Sequence, residues 1–307
     1  MTVGREGQLR LGTRGSALAR AQTALVREAL EEAHRGVQIE VVVIRTEGDR
    51  VQDRPLSQFG DKGVFVRAIE AALLDGAIDL AVHSLKDIPG DSTVQGLEIA
   101  AFSPRADPRD VLVSGTGAGL MELPAGTRIG TSSPRRRMLL GELRPDLIVA
   151  DIRGNVETRL AKVRNGEYAG TILAAAGLER LGRLGEATEF LPPHRWVPDA
   201  GQGIIAVQGR IADPALTLAR AIDNPRSRVI AVAEREVVRT LGAGCSSPVG
   251  AYAEVDSNAI TLWAVASSSR GGQAERATAT GPLEAAAALG KNVGERLLAG
   301  IGAYTGP

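Results

Sequence analysis

The sequence predicts an α/β chain of two similar units followed by a small α+β domain. Three observations predict it. Apolar strand-like runs alternate with amphipathic helical stretches through the first two thirds of the chain. "RLGTRGSALA" and "RIGTSSPRRR" share one pattern: a strand, Gly-Thr, a small polar turn and a helix start. Three alternating strands and a terminal helix then close the sequence. A length of 307 residues leaves room for two or three domains at roughly 100–150 residues each.

In order, Leu9–Leu11 is a short strand before "GTRGS". A helix follows from about Ala17 to Glu32, because Leu18, Ala21, Leu25 and Ala29 recur at three- and four-residue steps. "VQIEVVVIR" is an unbroken β-branched run, expected as a strand buried on both faces. The long, polar, glycine-bearing stretch from Thr46 to Gly63 is expected to be a mobile lid. A helix near Val64–Leu74, the strand "IDLAVHS" and a strand near Leu97–Phe102 complete the first unit.

Near Pro104–Pro108 the pattern restarts. "DVLVS" and "TRIGTS" are strands, and "SPRRRMLLGEL" opens a helix with Ser133 as N-cap and Pro134 at its first position. "LIVADIRGN" and "VETRLAKVRNG" repeat the strand–turn–helix theme, and "GTILAAAGLERLG" closes it. The two units are expected to face each other across a cleft, with "GQGIIAVQ" returning to the first. Asn224-Pro225 caps a helix over Arg226–Leu241. "VGAYAEV", "AITLWAV" and "AERATAT" are strands, and the last helix runs from about Leu283 to Ala299. The expected boundaries are 1–103 with 201–221, 104–200 and 222–307.

Composition narrows the function. Acidic and basic residues balance at 36 each, so no global field recruits nucleic acid or an anionic membrane. Aromatics make up 3%, too few for an obvious base-stacking platform. No signal-like segment or membrane-length apolar run is present, and the expected location is the cytoplasm. His34, His83 and His194 show no metal spacing, and no nucleotide-binding or hydrolase-triad signature appears. Cys245, in "LGAGCSSPVG", is the only cysteine. It can form no internal disulfide and is one ligand short of any cysteine-based metal site. The turn alone leaves open whether it is an ordinary loop residue or a functional thiol.

The arginines are more telling. A cation in the first turn of a helix costs about 0.3–1 kcal/mol when exposed. Arg135, Arg136 and Arg137 nevertheless follow Ser133-Pro134, and Arg14 and Arg153 stand just before two other helix starts. The expected missing partner is an anion, which helix amides and guanidinium groups both favour. The spread over three turns suits several separate carboxylates. Lys86-Asp87 follows a buried strand, where a carboxylate could carry protons or stabilise a cation.

Together "LGTRGSALA", "GDKGVFVRAIEAALL", "DLAVHSLKDIP", "IGTSSPRRR", "LRPDLIVADIRGNVETRL", "AGLERLG", "GQGIIAV" and "GAGCSSPVGAYA" resemble the porphobilinogen deaminase (hydroxymethylbilane synthase) family over nearly the whole chain. The resemblance implies two type II periplasmic-binding-protein-like domains and a small third domain with a three-stranded antiparallel sheet. It implies a transferase that joins four porphobilinogen molecules head to tail with loss of ammonia and hydrolytically releases hydroxymethylbilane. The cofactor implied is a dipyrromethane, attached by a thioether to the cysteine matching Cys245. Asp87 matches the catalytic aspartate. Arg14, Lys86, Arg135, Arg136, Arg153 and Arg159 match binding cations, and Ser16, Gln22, Ser84, Thr131, Ser132, Ser133 and Gly154 match nearby polar or backbone contacts. A monomer without metal, nucleic acid or membrane is expected, with product hand-off to uroporphyrinogen III synthase as the suggested partnership. Pro134, "GDKG" and Ser246-Ser247 depart from common family patterns without removing a required charge. The rivals are a non-catalytic anion-binding protein, which leaves Asp87 and Cys245 unexplained, and a nucleic-acid binder, which the neutral charge disfavours.

Overall fold

The computed structural model describes residues 8–44, 64–90, 94–244, 247–268 and 273–302. The expected lid, 46–63, and Cys245 lie outside the described residues. Internal contacts divide the chain into two compact units, 1–105 with 204–228, and 106–203 with 229–307.

In the first unit, β1 (Gln8–Arg14), β2 (Gln38–Ile44), β3 (Leu80–Ser84), β4 (Leu97–Phe102) and, from later in the chain, β10 (Ile205–Arg210) form one sheet. Its order is β2-β1-β3-β10-β4. The first three strands are parallel, and β10 runs antiparallel to β3 and β4. The returning strand is therefore real, although it begins at Ile205 rather than Gly201. The helix Ala17–Ala33 starts where Ser16 Oγ accepts from the Ala19 amide. It buries Val26 and Leu30 against Leu9, Leu11, Leu80, Val82, Ile205 and Val207. Burying one such leucine stabilises by about 1.5–3 kcal/mol. Ala81, on the alternate face of β3, joins Ile69, Leu73, Ile78 and Leu97 in a second cluster with the helix Val64–Leu74.

One expectation is corrected here. β2 is not buried on both faces: among the described residues it is the edge strand, paired with β1 alone, and Val41 and Val43 are 37% and 38% exposed. β-branched residues favour any extended ladder, so their run located the strand but not its depth.

The second unit holds β5 (Asp110–Ser114), β6 (Arg128–Gly130), β7 (Ile148–Ala150), β8 (Gly170–Ala174) and β9 (Glu189–Phe190) in the order β7-β6-β8-β5-β9. The pattern of directions matches the first sheet: two parallel pairings, then two antiparallel ones. The similarity read in two short motifs thus extends to whole sheets. Its helices include Pro134–Leu143, capped by Ser133 as expected, Val156–Arg164, capped by Asn155, and Ala175–Arg180. β11 (Val249–Asp256), β12 (Ala259–Ala266) and β13 (Glu275–Pro282) form the expected antiparallel sheet, followed by the helix Ala286–Ile301. Tyr252 and Val265 share an apolar cluster with Leu112, Trp196 and Val197, so this sheet packs with the second α/β sheet.

The helix Ala286–Ile301 crosses Pro225–Thr240 at glycines. A Cβ on Gly290 would stand 2.3 Å from the Ala233 carbonyl oxygen, and one on Gly294 would stand 2.7 Å from Thr240 Cβ. Gly290→Ala must push two helix backbones apart, and should lose roughly 1–3 kcal/mol of stability. Gly141, inside the helix Pro134–Leu143, has nothing within 4 Å of such a Cβ, so Gly141→Ala should gain about 0.5–1 kcal/mol. Urea unfolding of the two variants checks the contrast, and equal effects would refute the close crossing.

Candidate active site

The first unit fixes Asp87 on a single 3₁₀ turn, Leu85–Asp87, directly after β3. The chain on both sides of it is buried at Leu85 and Ile88. The Leu85 amide donates to the Ile204 carbonyl at 3.0 Å, and the Ile88 amide closes the turn on Leu85. Asp87 itself is exposed and Lys86 is half-buried. Asp87 thus stands on a short turn at the end of β3. Ser84 and Gln22 satisfy each other, with Gln22 Nε2 donating to Ser84 Oγ at 2.9 Å and Ser84 Oγ donating to Gln22 Oε1 at 3.1 Å. Ser16 is engaged as a helix cap, and half-buried Arg14 ends β1.

Behind this edge lies a buried histidine. His83 is pushed down to about 4, first by burial and then by the charge of Arg14, with a Gln208 hydrogen bond opposing both. Gln208 Nε2 in turn donates to buried Glu70 at 3.2 Å. His83 is therefore neutral at pH 7, and no sequence feature announced that.

In the second unit the hydroxyls of "TSS" are drawn into the turn. Thr131 Oγ1 accepts from the Ser133 amide, Ser132 Oγ donates to the Ile152 carbonyl at 2.8 Å, and Ser133 Oγ accepts from the Arg136 amide. Gly154 has φ +107°, and a Cβ there would lie 2.6 Å from Thr158, so the turn requires glycine. Its carbonyl accepts from Arg159 Nε at 2.9 Å.

The arginines divide into two groups. Arg135 is 1% exposed. Its Nη2 and Nε donate to Asp110 and Asp199, each at 2.8 Å, and its Nη1 donates to the Val197 carbonyl at 2.9 Å. Buried Arg136 reaches the other Asp110 oxygen at 2.7 Å and the Ile172 carbonyl at 2.8 Å. Both guanidinium groups thus have carboxylate partners within the chain, Asp110 for both and Asp199 for Arg135. Arg137 pairs with Asp151 on the surface. Arg159 differs. Burial, then the like charges of Arg136 and Arg153, lower it to about 10. Arg159 and Arg153 are half-buried.

Sequence reasoning missed Asp110, read only as the first residue of a strand, and Arg180. Burial lowers the Arg180 pKa while neighbouring Glu179 opposes this, and its Nη2 donates to the Gly203 carbonyl at 2.6 Å. A cation ending the short helix Ala175–Arg180 reads as an ordinary favourable terminus, so no signal set it apart. Among the described residues no His/Cys/Asp/Glu group could hold a metal ion, and no helix is long and apolar enough to cross a membrane.

Two family models match. "Porphobilinogen deaminase, dipyromethane cofactor binding domain" covers residues 9–217, and "Porphobilinogen deaminase, C-terminal domain" covers residues 229–299. The chain belongs to the porphobilinogen deaminase family. A porphobilinogen deaminase of Syntrophobacter fumaroxidans is 43% identical over 291 residues, covering 94% of each chain. One of Acidothermus cellulolyticus is 46% identical over 295 residues, covering 94% of this chain and 88% of its own. The family is one of transferases with a dipyrromethane cofactor. Among solved structures, the VFT2 domain of Bordetella pertussis BvgS aligns with 74% of this chain and 93% of its own at 14% identity and TM-score 0.42. An arginine-specific periplasmic binding protein of Salmonella typhimurium aligns with 76% and 97% at 15% identity and TM-score 0.38.

The buried histidine gives a pH test. Its folded pKa of about 4 lies below the unfolded value near 6.5, so the unfolded chain takes up the proton first. Stability from this group is complete above pH 6.5 and falls as pH drops toward 4. Wild type should lose roughly 2–3 kcal/mol more than His83→Gln between pH 7 and 4.5. Denaturant unfolding at both pH values measures it, and parallel losses would place the proton uptake elsewhere.

Proposed function

We propose that this chain joins four porphobilinogen molecules head to tail, releasing ammonia at each addition, and then hydrolytically releases hydroxymethylbilane. The observation that carries the reading is the family match over residues 9–217, and it is supported by Arg159, whose pKa is lowered to about 10 first by burial and then by the like charges of Arg136 and Arg153. Every pyrrole ring in this chemistry bears an acetate and a propionate, so bound rings neutralise such cations. The residues present therefore fit a dipyrromethane, a short polycarboxylate. When bound, it supplies the pyrrole chain end from which polymerisation starts. Cys245, as the single thiol, is the proposed attachment point.

Asp87 is the proposed catalytic group. Loss of ammonia from porphobilinogen leaves a cationic methylene-pyrrolenine, which a carboxylate on a fixed turn stabilises electrostatically. The same carboxylate accepts the proton released on coupling. Lys86, Arg14, Arg153, Arg159 and the additional Arg180 bind ring carboxylates in this reading, with Arg136 contributing its field. Ser16, Gln22, Ser84, Thr131, Ser132, Ser133 and Gly154 shape the surrounding backbone. The enzyme works as a cytoplasmic monomer, with product passing to uroporphyrinogen III synthase.

The experiment pairs two variants. Cys245→Ala should show the unmodified polypeptide mass, whereas wild type should carry a covalent dipyrrole. Asp87→Asn, supplied with preformed cofactor, should keep its fold and lose two to four orders of magnitude in single-turnover ammonia release, about 3–5 kcal/mol of transition-state stabilisation. A dipyrrole on Cys245→Ala, or near-normal release by Asp87→Asn, would overturn the assignment concerned.

A further inference from the structure

Arg153 and Gly154 lie in the turn that joins β7 to the helix Val156–Arg164, outside any strand or helix. A turn has no ladder to occupy its carbonyls, so other donors must do so. The last carbonyl of β7, that of Ala150, accepts from the Thr131 amide at 2.8 Å. The Asp151 carbonyl then accepts from Tyr168 Oη at 2.6 Å and the Ile152 carbonyl from Ser132 Oγ at 2.8 Å. Past Arg153, the Gly154 carbonyl accepts from Arg159 Nε at 2.9 Å. The two carbonyls just before Arg153 are thus held by side-chain hydroxyls, one from the turn after β6 and one from the bend before β8.

Tyr168 is itself firmly seated. It is buried and packs with Ala150, Ile152 and Val163. Its ring lies so close to Gly130 that a Cβ there would stand 2.9 Å from Tyr168 Cδ1 and 3.0 Å from Ile152 Cβ. The Arg128 guanidinium carbon sits 4.9 Å from the ring centroid. A phenylalanine ring would fill the same space, so packing alone does not need the hydroxyl. What the hydroxyl adds is a fixed point on the backbone two residues before Arg153.

We propose that Tyr168 is a positioning residue for substrate binding: its hydroxyl, with that of Ser132, fixes the backbone from which Arg153 extends. This rests on the function proposed above, in which Arg153 binds a ring carboxylate. A long side chain binds more tightly when its backbone is already in place, because less freedom is lost on binding.

The test compares wild type, Tyr168→Phe, Arg153→Leu and the double variant, each loaded with preformed cofactor. Tyr168→Phe keeps the ring and loses one hydrogen bond, so it should fold. Before substrate is added, hydrogen–deuterium exchange of the amides over residues 151–155 should rise about three- to tenfold in Tyr168→Phe, with β8 unchanged. KM for porphobilinogen should rise by about three- to tenfold, and kcat should change by less than about twofold. In the Arg153→Leu background the same change should leave kcat/KM unaltered, because the side chain through which Tyr168 acts is gone. A merely structural role would lower kcat/KM equally in both backgrounds. Unchanged exchange, a wild-type KM, or equal losses in both backgrounds would leave Tyr168 a packing residue only. Wild type that neither carries a dipyrrole nor consumes porphobilinogen would instead overturn the functional reading and this inference with it.

Discussion

The second unit depends on one buried ion cluster, Asp110 with Arg135 and Arg136. Taking such charges out of water costs several kcal/mol per ion, repaid only when every donor and acceptor is matched. Here they are matched by residues from separate parts of the chain: the start of β5, the helix Pro134–Leu143, the β8 carbonyl of Ile172 and the segment containing Trp196, Asp199 and Gln202. The C-terminal sheet is tied to the same place. A Cβ on Gly250 would lie 2.7 Å from the Val197 carbonyl and 3.1 Å from Arg135 Cδ, and the Ala251 amide donates to the Pro198 carbonyl. The ion cluster thus fixes how a helix, two sheets and a connecting segment meet.

The first unit solves a similar problem with a less buried network. Asp79, just before β3, accepts from the Arg10 amide and side chain; burial would raise its carboxyl, but these bonds and the Arg10 charge lower it. Arg210 at the end of β10 joins it. These charges fasten one end of the β1-β3-β10 ladder, while the opposite end of β3 carries the Asp87 turn. Fastening one end of the strand steadies the short turn that carries Asp87 at the other.

Much of this was legible because local chemistry and tertiary need agree. Ser133-Pro134 marked a helix start, and a helix starts there with Ser133 as its cap. The strand runs of the third sheet announced their own pairing. What stayed hidden depended on contacts remote in sequence. Val41 and Val43 could not reveal that β2 would be an edge. The argument from Arg135 and Arg136 was sound in physics, since cations against a helix dipole do need an anion. It did not reveal the internal partner, because Asp110 lies some twenty-five residues upstream and a lone acid opening an apolar strand gives no sign of its partners. The family resemblance, carried by many short motifs in order, needed no such contact and held across the chain.

The arginines of the second unit divide into Arg135 and Arg136, bonded to buried Asp110, and the half-buried Arg153 and Arg159. Thermal unfolding of Arg135→Leu against Arg159→Leu tests that division most directly. Arg135→Leu strips Asp110 of one of its two buried cations and should cost about 3–5 kcal/mol. Arg159→Leu removes a charge that Arg136 and Arg153 already oppose and should leave stability unchanged or slightly higher. A stable Arg135→Leu beside a strongly destabilised Arg159→Leu would contradict the division.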